Sequence, residues 1–215
     1  MLIQMESKYQ PQRWALTQDQ IDSLVKVVES WVPLATGTTA DIAMMHRDYA
    51  IALLLIYTGV TINEIRMLNN DDYTFDGAGK RCLVIGSRHR TILLTRETNQ
   101  TISRWLIMRK LVFGSMHNNA LFTNRRTERI NAASIKQVLS RMRMSSAIPF
   151  TTFSLRHTFI KRMIEAGRTE LEISQMLSRP SRAIIEMYGQ TDYTAPMVTL
   201  PASRFTSPAS AHPSF

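Results

Sequence analysis

Lysine and arginine are concentrated in one stretch of this sequence, where they could bind the phosphates of a polyanion. Between Lys80 and Arg168 there are 18 lysines and arginines but three acidic residues, although the whole 215-residue chain has 26 and 17 and a formal charge of +9. Each cationic side chain that neutralises a phosphate releases condensed counterions, so this segregation favours nucleic acid as the partner. The alternatives are a well-solvated face and an anionic membrane surface. No helical segment joins a basic run to an aromatic-rich apolar face, which disfavours the membrane.

The residues that we predict to contact DNA form two clusters, with further positions on the helices that follow. One cluster is a basic turn between two β-type runs, and the other directly precedes a helix that begins near Asn131. We favour contact with the DNA backbone over a solvated loop for the second cluster. The predicted set is Arg88, His89, Arg90, Arg125, Arg126, Arg129, Arg141, Arg143 and Lys161.

The composition excludes several classes of protein. A hydrophobic content of 44%, with 8 glycines and 8 prolines, excludes a disordered or collagen-like chain. The single cysteine, Cys82, excludes a disulfide framework and a multi-cysteine zinc site, and we expect no metal or other cofactor. The longest apolar stretch, Ile51 to Tyr57, is too short to span a bilayer, and residues 1–13 lack the order of a signal peptide. We therefore predict a cytoplasmic, nucleoid-associated protein without a membrane partner.

Hydrophobic periodicity predicts helices, then a small sheet, then helices again. The first helix opens at a capping box formed by Thr17 and Gln20. The further predicted helices span 41–57, 62–68, 98–112, 131–142, 152–166, 169–177 and 181–188, and the predicted antiparallel strands span 73–75, 81–85 and 91–94. This order belongs to the α+β class, mainly helical, with a small three-stranded antiparallel sheet. We expect residues 1–14 to be a flexible arm and residues 189–215 an extended tail around one domain, 15–188.

Three segments together resemble the tyrosine recombinases, the phage integrase family. The segment from Thr58 to Leu68, with sequence TGVTINEIRML, resembles the family's TGLRxSELxxL box, and the segment from Ser154 to Phe159, SLRHTF, resembles its HxLRHTF box. The segment from Gly167 to Tyr188 resembles the box that carries the family's tyrosine nucleophile. The resemblance covers the catalytic domain alone and implies that domain's fold for residues 15–188.

The resemblance implies a metal-free chemistry of DNA strand exchange. A tyrosine hydroxyl attacks a phosphodiester, forms a 3′-phosphotyrosyl link and expels a 5′-hydroxyl, while arginines stabilise the charge on the transition state. It implies that Tyr188 lies at the nucleophile position, Arg156 at the second arginine and Glu64 at the acidic position. Arg179 stands at the family's His/Trp position, where a guanidinium can still donate to a phosphate oxygen.

The sequence also departs from the family pattern at three positions. The first arginine of the family is replaced by Thr61, the turn lysine falls on or near Ser87, and the histidine before the second arginine is Phe153. The loss of one charged donor costs on the order of 10²–10³ in rate, so several losses would reduce cleavage severely. Arg66 follows Thr61 by more than a helical turn and is a poor substitute.

These observations leave two principal functions open. The first is a duplex DNA-binding protein that is impaired in strand cleavage and acts as an accessory or regulatory factor in recombination. The alternative is an active site-specific recombinase, an integrase or invertase, that uses Tyr188. The resemblance also implies a homo-oligomer on DNA that docks through the tail, and a full-length recombinase is a further candidate partner. An RNA-binding protein remains a weaker alternative, because the sequence has no RRM or KH signature.

Overall fold

The computed structural model describes residues 15–86, 90–114 and 118–177. Seven helices and three strands follow one another in the predicted order within these ranges. The helices are α1 (Gln18–Ser30), α2 (Thr39–Tyr57), α3 (Ile62–Met67), α4 (Arg96–Phe113), α5 (Ala132–Ser146), α6 (Thr152–Glu165) and α7 (Glu170–Met176). The strands are β1 (Tyr73–Phe75), β2 (Arg81–Ile85) and β3 (Arg90–Leu93), and they form one antiparallel sheet in the order β1-β2-β3.

Side-chain caps fix where the helices begin. Thr17 and Gln20 form the predicted capping box at α1, and Thr169 with Glu172 forms another at α7. A third box, Thr38 with Asp41, starts α2 at Thr39, two residues before the predicted start. Because the cap hydroxyl accepts from a backbone N–H that would otherwise lack a partner, the helix begins directly after the cap.

The core is built around α2, which is buried on nearly all sides. Leu53, Leu54 and Ile56 have at most 1% of their surface exposed, and α2 packs against α1, α4, α5 and α6. Trp105 of α4 is fully buried and donates its indole N–H to the carbonyl of Leu121 at 2.9 Å. Trp105 is therefore a core residue. In α5, Met142 is fully buried, whereas the side chain of Met144 is 81% exposed.

Residues at the end of α2 connect the helical core to the next elements. Gly59 has a φ of +63°, the left-handed conformation that glycine adopts readily, and it ends α2 as predicted. The chain then passes through Thr61 into the short helix α3. This turn lies against α6 and the end of α7, because a Cβ built on Gly59 would come within 2.8 Å of the Phe159 ring and 3.2 Å of Leu177.

No helix within the described ranges is long and apolar enough to cross a membrane.

Candidate functional site

Arg156 projects from the second turn of α6 toward the turn between α2 and α3. Its Nη1 donates to the carbonyl oxygen of Gly59 at 2.6 Å, across 97 residues of sequence. The side chain is half-buried, and burial lowers the pKa of the guanidinium from its ordinary value, with Arg90 adding to this and Glu64 opposing it. Arg156 is thus a partly desolvated cation held in one place by a neutral acceptor, which suits it to bind an oxyanion.

Glu64 lies in the first turn of α3. One of its carboxylate oxygens caps this helix, and the other faces Arg90 of β3. Its Oε2 accepts from the backbone N–H of Thr61 at 2.7 Å and from the Thr61 hydroxyl at 2.9 Å. The hydroxyl in turn accepts from the Glu64 backbone N–H, which completes a capping box. Thr61, at the position where the family has its first arginine, is therefore the N-cap of α3. The T-x-x-E sequence of residues 61–64 is the local signature of this box.

Arg90 approaches the same carboxylate from the sheet. Its Nη2 lies 2.6 Å from Glu64 Oε1, its Nη1 donates to the carbonyl of Met176 at the end of α7, and its side chain is 6% exposed. The prediction that Arg90 belongs to the exposed turn is wrong: it is the first residue of β3 and is buried. The strand alternation carries the missed signal, since Arg90 shares a face with the buried Ile92, while Thr91 and Leu93 are exposed.

Phe153 and His157 lie on either side of Arg156 in the sequence of α6, and they do not form a pair of proton-transfer groups. Phe153 begins the same face of α6, three residues before Arg156, and 71% of its surface is exposed. Its ring has no group that donates or accepts a proton. His157 is buried, as expected for a packing or hydrogen-bonding role, and burial together with Arg156 lowers its pKa.

Several predicted site residues fall outside the described part of the chain. These are Tyr188, Arg179, Ser87, Arg88 and His89. The predicted helix 181–188, the arm 1–14 and the tail 189–215 also lie outside it. Their proposed roles stay predictions. Arg66 hydrogen-bonds to Asn63 of its own helix through Nη2 at 2.8 Å, and the structure does not bring it to Arg156.

A second basic region is the open cleft between α2 and the loop that enters α5. Its walls combine arginines with polar side chains that could meet a sugar-phosphate backbone. Its principal lining residues are Arg47, Arg125, Arg126, Arg141, Asn131 and Ser134. Three carboxylates moderate the charge, since Asp48 pairs with Arg47 and Arg141, Asp41 pairs with the exposed Arg125, and Glu128 lines the cleft. Arg126 is exposed and faces the same opening.

Other predicted DNA contacts have structural partners. Arg129 donates to the carbonyls of Arg66 and Leu68 at 2.9 Å and to the Asn69 side chain at 2.6 Å. Its guanidinium therefore caps the end of α3, in contrast to the neighbouring Arg125 and Arg126. Arg143 reaches the Phe150 carbonyl at 3.4 Å, and Lys161 lies 3.6 Å from Glu165.

Comparison with known proteins decides the family. The sequence profile of the phage integrase family matches residues 15–194. The chain belongs to the phage integrase family. Among curated members, it is 24% identical to the tyrosine recombinase XerC of Alcanivorax borkumensis over 181 residues, 83% of this chain and 56% of the relative. It is 30% identical to the TnP I resolvase of Bacillus thuringiensis over 131 residues, 60% of this chain and 44% of that protein.

Solved structures of integrase-family proteins share the fold. The XerA recombinase matches with a TM-score of 0.64 and 24% identity, covering 81% of this chain and 59% of XerA. XerH, in a post-cleavage complex with palindromic difH substrate, matches with a TM-score of 0.68 and 18% identity, covering 83% of this chain and 50% of XerH. The predicted fold, mainly helical with a small antiparallel sheet, is confirmed. The chain spans about half the length of the relatives it matches.

Proposed function

We propose that this integrase-family chain binds duplex DNA, is impaired in strand cleavage, and serves as an accessory or regulatory factor in recombination. The observation that carries the proposal is the Thr61–Glu64 capping box. Both groups that Thr61 could offer to a phosphate, its hydroxyl and its backbone N–H, are bound to Glu64. Position 61 therefore supports a helix and supplies no charged donor to a phosphorane-like transition state.

Phe153, one helical turn before Arg156 in α6, supports the same conclusion. The family resemblance implies a histidine there, which would exchange a proton or hydrogen-bond to the phosphate. An exposed phenyl ring does neither. With two donor positions changed, the cleavage rate should fall by at least the factor of about 10²–10³ that is expected for the loss of one donor.

Binding does not need the missing groups. Arg156 keeps a fixed guanidinium, and the cleft beside α5 adds exposed arginines in the stretch where positive charge predominates. The solved XerH relative holds its difH substrate. Because this attraction is largely electrostatic, it acts on the phosphate backbone whether or not a strand is cut.

We expect the affinity for duplex DNA to fall steeply as salt concentration rises. Replacement of both exposed arginines of the cleft, Arg125→Gln with Arg126→Gln, should lower the affinity and reduce the slope of log K against log salt by about 2, one for each lost phosphate contact. Fluorescence anisotropy titrations at several salt concentrations measure both quantities. Lys26→Gln is the matched control, because Lys26 is an exposed cation on α1, outside the basic stretch. A salt-independent binding constant would contradict the proposal.

The second candidate is an active recombinase that uses Tyr188 as its nucleophile. The fixed guanidinium of Arg156, which lies at the family's second arginine position, favours it. The predicted assembly through residues 189–215 and the predicted full-length recombinase partner belong to either function. Both stay predictions.

A further inference from the structure

The side chains of Glu64, Arg90 and Arg156, of which Arg90 is buried and the other two are partly buried, form a cluster that joins α3, β3 and α6. Glu64 is 14% exposed in its side chain and Arg90 6%. The cluster holds two cations and one anion, so within these three residues one positive charge has no counterpart. Buried charge is costly unless it is paired, so the way this carboxylate is shared decides which arginine keeps an uncompensated charge.

The contacts show how Glu64 is shared. Its Oε2 is bound to the Thr61 cap, and its Oε1 faces Arg90 at 2.6 Å. Within the described ranges, Arg156 has no carboxylate at ion-pair distance, and its guanidinium donates to the neutral Gly59 carbonyl. Arg90 therefore takes up the carboxylate charge, and Arg156 does not.

We propose that Arg90 is a positioning residue that neutralises Glu64 from β3 and so leaves the Arg156 guanidinium available to an oxygen of a DNA phosphodiester. The proposal rests on the proposed function, since it specifies how Arg156 binds the phosphate. Arg90 itself does not touch the phosphate. The carboxylate that caps Thr61 is thus paired with an arginine from the sheet.

Two further features of Arg90 fit this role. Its Nε is buried without a hydrogen-bond partner among the described residues, which is a cost to the fold that the ion pair with Glu64 accompanies. The electrostatics also couple the three groups: the charge of Glu64 raises the pKa of Arg156, while the charge of Arg90 lowers it. Without Arg90, the Glu64 carboxylate would attract the Arg156 guanidinium and compete with the DNA phosphate for it.

The test measures how much Arg156 contributes to DNA affinity in three backgrounds. In the otherwise unchanged protein, Arg156→Gln should weaken binding to a duplex of fixed sequence by about 10-fold, as expected for a charged hydrogen bond. In the Arg90→Met background, the same change should cost less than about 2-fold, because Glu64 already neutralises Arg156. In the Arg90→Met, Glu64→Gln background, the cost should return to about 10-fold. Arg90→Lys, which keeps the charge, should preserve most of the Arg156 contribution.

A matched control separates this coupling from a general loss of stability. Arg109 is also a buried arginine, and it donates to the carbonyls of Ala120 and Leu121. Arg109→Met should destabilise the fold but leave the cost of Arg156→Gln unchanged. If Arg90→Met does not fold, Arg90→Gln takes its place in the cycle.

The outcomes distinguish the two proposals. An unchanged cost of Arg156→Gln in the Arg90→Met or Arg90→Gln background, with salt-dependent binding intact, would overturn the role of Arg90 alone. A protein that shows no salt-dependent affinity for duplex DNA would overturn that role together with the proposed function.

Discussion

The combined variant Thr61→Arg, Phe153→His should gain Tyr188-dependent cleavage of a nicked duplex. Each restored donor should raise the rate by on the order of 10²–10³ over the unchanged chain, because it stabilises charge that develops in the transition state. The gain comes at a structural cost, since Thr61 caps α3 and the loss of a cap costs about 1 kcal/mol. Single-turnover formation of the covalent complex, followed on a denaturing gel, measures the gain.

Two matched variants control this experiment. Thr61→Ser keeps a capping hydroxyl, and Phe153→Leu keeps an apolar side chain, so neither should raise cleavage. Tyr188→Phe in the combined variant should abolish the product. If the combined variant folds and binds DNA but cleaves no faster than the unchanged chain, the substitutions at positions 61 and 153 are not what limits cleavage.

Gly59→Ala should destabilise the protein by about 2–5 kcal/mol. The left-handed backbone at φ +63° costs a residue with a Cβ about 1–2 kcal/mol. The new methyl group would also lie 2.8 Å from the Phe159 ring, and such overpacking costs about 1–3 kcal/mol. Because the Gly59 carbonyl holds Arg156, DNA affinity should fall as well. Chemical denaturation measures the change in the free energy of unfolding.

Gly79→Ala isolates the backbone contribution. Gly79 has a φ of +74° but open space where its Cβ would stand, so this change should cost about 1 kcal/mol. If Gly59→Ala proves no more destabilising than Gly79→Ala, the packing of the α2–α3 turn against α6 leaves room for a methyl group at position 59, which would contradict this prediction.

The elements of this fold were predictable because their signals are local. Thr17 with Gln20 and Thr169 with Glu172 mark helix starts within four residues, and the sheet follows from short β-type runs separated by turns. Such patterns depend on neighbours in sequence and survive tertiary packing. The resemblance to the integrase family further predicted that residues 15–188 have the fold of one catalytic domain.

The pairing of charges could not be predicted in the same way. Arg90 and Glu64 lie 26 residues apart, and Arg129 caps a helix more than 60 residues away in sequence. In the sequence, each arginine carries the same charge and suggests the same surface role. The structure divides them, since Arg90 and Arg129 are held inside the protein by its own carboxylate and carbonyls, whereas Arg126 is exposed beside the cleft and Arg125 is exposed there although it pairs with Asp41.

The central claim is that this chain binds DNA but does not cleave it efficiently. A nicked duplex that traps a phosphotyrosyl product tests this claim most directly. The substrate is incubated with the unchanged chain and with Tyr188→Phe, and binding and covalent adduct are measured in the same samples. We expect both proteins to bind the duplex with equal, salt-sensitive affinity and to form little or no adduct. An adduct that forms readily with the unchanged chain and disappears in Tyr188→Phe would contradict this account and establish an active recombinase.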